Sequence, residues 1–128
     1  MSILNTQLAI ATDVIAGGSI PLGEVVHKSG CHINAIPRAI IIKGKGYYKI
    51  TAIASIAVSA VGNISLNIAD NGTVIATAST TKGAVGDIAN LTAQAIVFNN
   101  CQCNADHITF TISADGTVNE FDVIVEAI

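Results

Sequence analysis

The 128-residue chain is short of charge. Charged residues make up 12% of it and hydrophobic residues 51%, against roughly 25% charged residues in ordinary soluble domains. Six Lys/Arg and nine Asp/Glu cannot cover much of the surface of a chain this size, because about a third of the unfolded surface stays exposed after folding. The shortage of charge therefore favours a buried subunit interface and points away from a monomer.

Long hydrophobic runs and targeting signals are also missing. No run approaches the roughly 18 consecutive apolar residues of a spanning helix. Residues 1–5 show no basic start followed by an apolar segment, so we expect no secretory signal and no membrane insertion. The net charge of -3 argues against nucleic acid as a partner, and Lys43, Lys45 and Lys49 are expected to form a small solvated cluster.

No segment has a convincing helical period, and apolar residues alternate instead with a period of two. Short strands are therefore predicted along nearly the whole chain, most of them bounded by Gly, Pro, Asn or Asp. About nine such strands, with no linker and no internal repeat, predict one domain, residues 1–128, built as an all-β sandwich or barrel. The predicted strands are Leu8–Ile10, Leu22–Lys28, Arg38–Lys43, Tyr47–Ser59, Asn63–Ala69, Thr73–Ser79, Ile88–Phe98, His107–Ser113 and Glu120–Ala127.

Turn residues between these strands predict two hairpins. Asp70-Asn71-Gly72 separates two alternating segments, and Asn-Gly tolerates the positive φ angles of a tight turn. Asp115-Gly116 is a second signal of the same kind. Ile40-Ile41-Ile42 lacks alternation, which predicts a strand that is buried on both sides.

The longest alternating segment, residues 46–59, contains one misfit. Tyr48, Ile50 and the small apolar residues after them fall on one face, whereas Thr51 and two serines fall on the other. Ile53 sits in the middle of this otherwise polar face. A β-branched residue exposed there is explained if that face meets another subunit.

Several short motifs, in this order along the chain, resemble a known superfamily. Gly46-x-Tyr48-x-Ile50 at the start of a long strand, followed by a strand that ends at Asn71-Gly72, resembles the trimeric jelly-roll superfamily of complement globular heads and tumour necrosis factor. Phe121-x-Val123-x-Val125 is similar to that superfamily's final strand, which runs up the centre of the trimer. The wider set is similar to small bacterial and prophage-encoded members found in phage particles and on surface filaments: Ile20-Pro21-Leu22-Gly23, Gly30-Cys31, Gly46-Tyr47-Tyr48, Asn71-Gly72 and Cys101-x-Cys103.

The resemblance implies a jelly-roll sandwich of about nine to ten short antiparallel strands that assembles as a homotrimer. Gly46, Tyr48 and Ile50 would form the core signature. Ile53, Ile124 and Ile128 would lie at the trimer interface, with Phe121, Val123 and Val125 facing the subunit core. The implied function is a structural or adhesive module of a phage particle, such as a capsid decoration, fibre head or tail-associated protein, with other virion proteins as partners. The chain has no collagen-like Gly-x-y stalk, which filament versions carry.

A carbohydrate- or receptor-binding module of a bacterial surface structure is the alternative function. Aromatic residues in an exposed groove would favour it. The chain contains no Trp and only two Tyr and three Phe. This supply is thin for a sugar-stacking platform, so the virion is the predicted location and the cell surface the alternative.

The cysteines and histidines leave three alternatives open. Cys31, Cys101, Cys103 and His107 carry zinc-binding groups, but the Cys-x-Cys spacing is not that of a zinc knuckle. A disulfide from Cys31 to Cys101 or Cys103 would leave one cysteine over. Free, partly buried thiols are the preferred prediction, with no metal and no cofactor. His27 is expected to be an exposed strand residue.

Catalysis finds little support in the sequence, and no enzyme is predicted. There is no Gly-x-Ser-x-Gly elbow and no Gly-rich phosphate loop. Neither Cys101 nor Cys103 has the signature of an activated thiolate for which His107 would act as the base. The carboxylates are scattered, so a catalytic pair would need folding to bring two of them together. Four loop residues could instead supply oxygen ligands for calcium: Asp70, Asn71, Asp106 and Asp115. Asp and Asn also form turns, and this simpler role is the alternative.

Overall fold

The chain folds into two stacked antiparallel sheets, as a computed structural model shows for residues 2–100 and 105–128. Eleven strands occur in the described residues: β1 Ile3–Leu8, β2 Thr12–Val14, β3 Glu24–Ser29, β4 Ile33–Ile36, β5 Ala39–Ile42, β6 Gly46–Val58, β7 Gly62–Asp70, β8 Thr73–Lys82, β9 Ile88–Asn99, β10 Asp106–Ile112 and β11 Gly116–Ala127. The front sheet has the order β3-β1-β11-β6-β9, with β2 also paired to β11, and the back sheet has the order β4-β5-β10-β7-β8.

The core lies between the two sheets and consists of the inward half of each alternating strand. In β6, Tyr48, Ile50, Ala52, Ala54, Ile56 and Val58 are all buried, as the period of two predicts. Phe110 of β10 and Phe121 of β11 meet edge to face at the centre, with ring centroids 5.3 Å apart. These two rings join the back sheet to the front sheet.

The last strand is central in the front sheet. β11 pairs with β1 on one side and with β6 on the other. Phe121, Val123 and Val125 are fully buried, so the prediction that they face the subunit core is confirmed. The predicted jelly-roll sandwich is confirmed as well.

The hairpin at Asp70-Asn71-Gly72 is confirmed. Asn71 has φ 51° and Gly72 has φ 87°, the two positive angles that a two-residue hairpin loop needs. The second hairpin prediction is wrong. Asp115-Gly116 joins β10 of the back sheet to β11 of the front sheet, so this turn is a crossover between sheets.

The structure corrects the strand prediction near the N-terminus. The strand predicted at Leu8–Ile10 is wrong, because β1 ends at Leu8 and Ile10 is exposed outside any strand. Three strands, β1, β2 and β4, were not predicted. In β1, Thr6 breaks the apolar alternation because its polar side chain lies in the core. β2 and β4 span only three and four residues, which is too short for a period of two to be recognised. The prediction that the Ile40–Ile42 strand is buried on both sides is also wrong in part, since Ile41 is only half-buried.

Candidate functional site

The outward face of the front sheet is the candidate site. The strand registers place one outward residue of each strand beside that of its neighbours. We call this surface the front face; across β1, β6, β9 and β11 it consists of Ile3, Asn5, Gln7, Tyr47, Lys49, Thr51, Ile53, Ser55, Ala57, Ile88, Asn90, Thr92, Gln94, Ile96, Phe98, Thr117, Glu120, Asp122, Ile124, Glu126 and Ile128.

All three predicted interface residues lie on this face. Ile53 is opposite Asp122 in the β6–β11 register, and Ile124 is opposite Thr51 on the same pair of strands. Ile128 follows β11, and its N–H donates to the Tyr47 carbonyl, 2.9 Å away. Ile53 is 43% exposed and Ile128 69% exposed, whereas Ile124 is half-buried. Their use in a trimer stays a prediction.

One corner of the front face is strongly apolar. The Tyr47 and Phe98 rings are cross-strand neighbours with centroids 4.7 Å apart, and they are 56% and 48% exposed. Ile96, 65% exposed, lies on the same edge strand, and Ile128 lies beside Tyr47. Exposed apolar side chains that touch one another are typical of a surface that binds a partner.

Sequence reasoning missed the apolar residues of β9, although the signal was present. Along the outward side of β9, Asn90, Thr92 and Gln94 are polar, whereas Ile88, Ile96 and Phe98 are large and apolar. This is the same departure from alternation that singled out Ile53. Applied to β9, it would have identified the edge of the candidate site.

The core signature positions the start of β6. Tyr48 is 2% exposed, and its hydroxyl donates to the Gly44 carbonyl, 2.7 Å away. A Cβ at Gly44 would lie only 2.5 Å from that hydroxyl, so the loop needs glycine for this close approach. Burial raises the pKa of Tyr48. Ile50 is fully buried, and Gly46 begins the strand with φ 138°.

Three of the four residues considered as calcium ligands, Asp70, Asn71 and Asp106, lie together at one end of the back sheet. Asp115 lies at the other end of β10. The side-chain amide of Asn71 donates to Asp106 Oδ1 at 3.2 Å, and Asn71 Oδ1 accepts from the His107 N–H at 3.0 Å. Burial, and then the charge and hydrogen bonding of Asp106, raise the pKa of Asp70 to about 6. Asp115 instead accepts from the Ala16 N–H at 2.6 Å. The pairing of Asp70 with Asp106 was not predicted, because β7 and β10 are distant in sequence.

The described residues contain no group of three or more His, Cys, Asp and Glu side chains placed to hold a metal ion. His27 is exposed in β3, Cys31 is exposed between β3 and β4, and His107 is exposed in β10. Cys101 and Cys103 lie outside the described residues. Cys31 is exposed, so the prediction of a partly buried thiol is wrong for this residue. The thiol state of Cys101 and Cys103 and the two disulfide alternatives stay predictions.

No protein-family model and no curated protein sequence matches the chain. Solved structures do match it in fold over nearly their whole length. The globular domain of zebrafish complement 1qA aligns with a TM-score of 0.75 at 8% identity, covering 100% of this chain and 98% of that one. The Eiger TNF from S. frugiperda aligns with a TM-score of 0.78 at 9% identity, covering 99% and 91%.

A phage protein is among the similar structures. The PRD1 vertex protein P5 aligns with a TM-score of 0.72 at 12% identity, covering 99% of this chain and 96% of that one. The chain therefore has the jelly-roll fold shared by complement and tumour necrosis factor domains, as the sequence motifs indicated. The described part of the chain contains no helix that is both long and apolar enough to cross a membrane.

Proposed function

We propose that the chain forms a homotrimer through its front face and serves as a non-enzymatic structural or adhesive module of a phage particle. The observation that carries the proposal is the front face itself. Six of its large apolar side chains are between 42% and 69% exposed in the single chain: Tyr47, Ile53, Ile88, Ile96, Phe98 and Ile128.

A ring of subunits fits this distribution of apolar residues. A three-fold interface is heterologous, so it joins two different surfaces of the subunit. The β9 edge, with Ile88, Ile96 and Phe98, supplies one surface, and the β1–β11 side of the front face, with Ile124 and Ile128, supplies the other. Such packing also covers the free edge of β9, which would otherwise be open to pairing with other strands.

The trimer would present three copies of the loops at the end of each sandwich. Three weak contacts from one rigid body add through multivalency, so a module without a deep pocket still binds a repetitive surface firmly. The likeness to a phage vertex protein supports the particle as the site of action. Capsid decoration, fibre head and tail-associated protein are the roles included in the proposal, with other virion proteins as partners and the virion as the location.

A carbohydrate- or receptor-binding module of a bacterial surface structure is the second candidate. The exposed Tyr47–Phe98 pair favours it, since neighbouring aromatic rings offer a stacking platform for a sugar. In the trimer proposed above, however, the same rings lie at a subunit contact. The two functions therefore compete for one surface.

The test is to locate the protein. Particles from an induced host that carries the gene would be purified on a density gradient and searched for this chain by mass spectrometry, with a washed envelope fraction as the control. We expect the chain to co-sediment with particles. Its absence from particles, together with enrichment in the envelope, would contradict the phage role and support the second candidate.

A further inference from the structure

The border strand β3 exposes all of its side chains. Its six residues, Glu24–Ser29, are exposed, whereas each of the other ten strands in the described residues has at least one buried or half-buried residue. β3 pairs with β1 on one side and has a free edge on the other. Since little apolar surface is buried here, β3 is held mainly by its backbone hydrogen bonds to β1.

A bulge weakens the pairing of β3 with β1. The register shifts from Asn5 opposite His27 to Thr6 opposite Val25, so Val26 is an extra residue on β3. A bulge leaves its extra residue unpaired and interrupts the ladder of hydrogen bonds. β3 is therefore held to β1 by fewer continuous hydrogen bonds than an unbroken strand of the same length.

A glycine with a positive φ angle stands at each end of β3. Gly23, with φ 78°, precedes the strand, and Gly30, with φ 83°, follows it. Both glycines lie close to the β1 segment: a Cβ at Gly23 would be 2.4 Å from the Gln7 carbonyl oxygen, and one at Gly30 would be 2.4 Å from Ser2 Oγ. Glycine adopts positive and negative φ angles about equally well, and hinges form at a few residues that end an element. Two such residues allow β3 to rotate away from β1 as one segment.

A buried polar group beneath β3 favours such a movement. Thr6 lies opposite Val25 and is fully buried, and its Oγ1 has no hydrogen-bond partner among the described residues. An unpaired hydroxyl in the core is unfavourable, because it has lost its hydrogen bonds to water. Val25 lines a groove of about 420 Å³ together with Leu8 of β1 and Ala35 of β4. Water that enters this groove when β3 moves would reach the Thr6 hydroxyl.

A side-chain hydrogen bond fastens β3 to the back sheet. Lys28 Nζ donates to Asn34 Oδ1 of β4, across the open side of the sandwich. This bond is exposed, so water competes for both groups and the bond adds little to the stability of the closed arrangement.

We propose that residues 24–29 form a hinged strap that opens as a unit about Gly23 and Gly30 while the rest of the sandwich stays folded. In the closed form, the strap covers the edge of β1 and shields Thr6 from water. In the open form, the edge of β1 is free, the groove widens and the Thr6 hydroxyl is hydrated. The strap lies at the border of the front sheet opposite β9, so its opening does not require the proposed trimer.

Amide hydrogen exchange of the wild-type chain, followed by NMR, tests the strap. Successive N–H groups of β1 point alternately to β3 and to β11, so β1 reports on both of its neighbours. We expect the β3-facing amides of β1 and the β1-facing amides of β3 to share one protection factor. It should be at least about 100-fold below that of the β11-facing amides of β1, because the strap opens without global unfolding.

Two outcomes of this experiment would contradict the strap. Equal protection on the two sides of β1 would mean that β3 is released only when the sheet unfolds. Protection that falls steadily along β3 would mean that the strand frays from one end and does not open as a unit.

Two threonine variants test the role of the buried hydroxyl. Thr6→Val replaces the hydroxyl with a methyl group and should raise the protection of the strap amides by about fivefold or more, because the closed form no longer contains an unpaired polar group. Thr109→Val makes the same change on the outward side of β10 and should leave their protection unchanged. An equal response to the two variants would contradict the hydration of Thr6 in the open form.

A further variant keeps the test decisive if Thr6→Val does not fold by circular dichroism. Lys28→Met removes the donor to Asn34 and should lower the protection of the strap amides by about twofold or more. The β11-facing amides of β1 should keep their wild-type protection. A Lys28→Met variant that lowers the protection of both sets equally would contradict an opening confined to the strap.

Discussion

The two outward faces of the sandwich are built from equally regular strands but carry different side chains. The front face exposes isoleucines and an aromatic pair. The outward side of the back sheet, which we call the back face, carries mostly hydroxyl and amide groups and two exposed apolar side chains, those of Ile36 and Val74. Its residues are Asn34, Ile36, Ile41, Asn63, Ser65, Asn67, Ala69, Val74, Thr77, Ser79, Thr81, His107, Thr109 and Thr111. Its contacts are polar, such as the Thr77 hydroxyl donating to Asn67 Oδ1 at 2.8 Å.

The difference between the two faces distinguishes side chains that are needed for folding from side chains that are available for assembly. The inward residues of both sheets are alike, since they fill one core of aliphatic side chains, two phenylalanines and Tyr48. The outward residues are free of that constraint and reflect what each face meets. Hydroxyl and amide groups suit contact with water on the back face, whereas the larger number of exposed apolar side chains on the front face supports the proposed contact with a second copy of the chain.

The largest effect is expected from removing Val123–Ile128. Truncation at a chain end is often harmless, but here it would expose the edges of β1 and β6, which β11 joins. It would also remove Val123 and Val125, which are fully buried and contribute about 1.5–3 kcal/mol each. We expect aggregated or unfolded protein by circular dichroism and light scattering. A truncated chain that is soluble, folded and trimeric would disprove the central role of β11.

The next effect compares the two faces directly. Ile53→Lys places a charge at the centre of the front face, and Thr109→Lys makes the matching change on the back face. We expect the first to weaken self-association by about tenfold or more, because an unpaired charge would be buried in the interface, and the second to leave it unchanged. Sedimentation equilibrium measures both. Equal effects would mean that the front face is not the interface.

A smaller effect concerns the charges at the end of the back sheet. The pKa of Asp70 rises from 3.8 to about 6 in the fold, so the folded chain holds this proton more tightly than the unfolded one. Stability from Asp70 is therefore fully present below pH 4 and is lost as the pH rises through 6. We expect a loss of about 1 kcal/mol, since solvent screens this partly exposed pair.

Denaturant unfolding at a series of pH values measures this loss. Asp70→Asn should remove the decrease between pH 4 and 6, because an amide does not titrate there. Asp87→Asn, in an exposed loop, is the control and should keep the decrease. An Asp70→Asn variant that retains the wild-type pH profile would show that a raised pKa of Asp70 is not the cause of the decrease.

The smallest effect is expected from removing metal. Dialysis against a chelator should leave the melting temperature unchanged, and elemental analysis should find no stoichiometric zinc. All three cysteines should titrate as thiols after unfolding without reductant. About one zinc per chain or per trimer would overturn this prediction.

The sequence allowed the inward residues to be predicted well and the connections poorly. Alternation identified the buried side of β6 and β11, and Asn71-Gly72 identified its hairpin, because these signals are local. The same alternation failed at β1, where buried Thr6 breaks the apolar pattern. Asp115-Gly116 was misassigned because a turn sequence does not show which sheet the next strand joins.

The candidate site was predicted only in part. Ile53 could be recognised because one strand shows the misfit by itself. The Asp70–Asp106 pair needed the sheet order, since it depends on two strands that are far apart in sequence. Local patterns thus revealed what one strand exposes, whereas the pairing of strands determined which groups meet.

The molar mass of the wild-type protein in solution tests the central claim most directly. Multi-angle light scattering at micromolar concentration should give three times the 13.1 kDa mass of the chain, because the apolar front face is covered only when copies associate. A mass equal to that of one chain, at the same concentration, would contradict the assignment of the front face as a subunit interface.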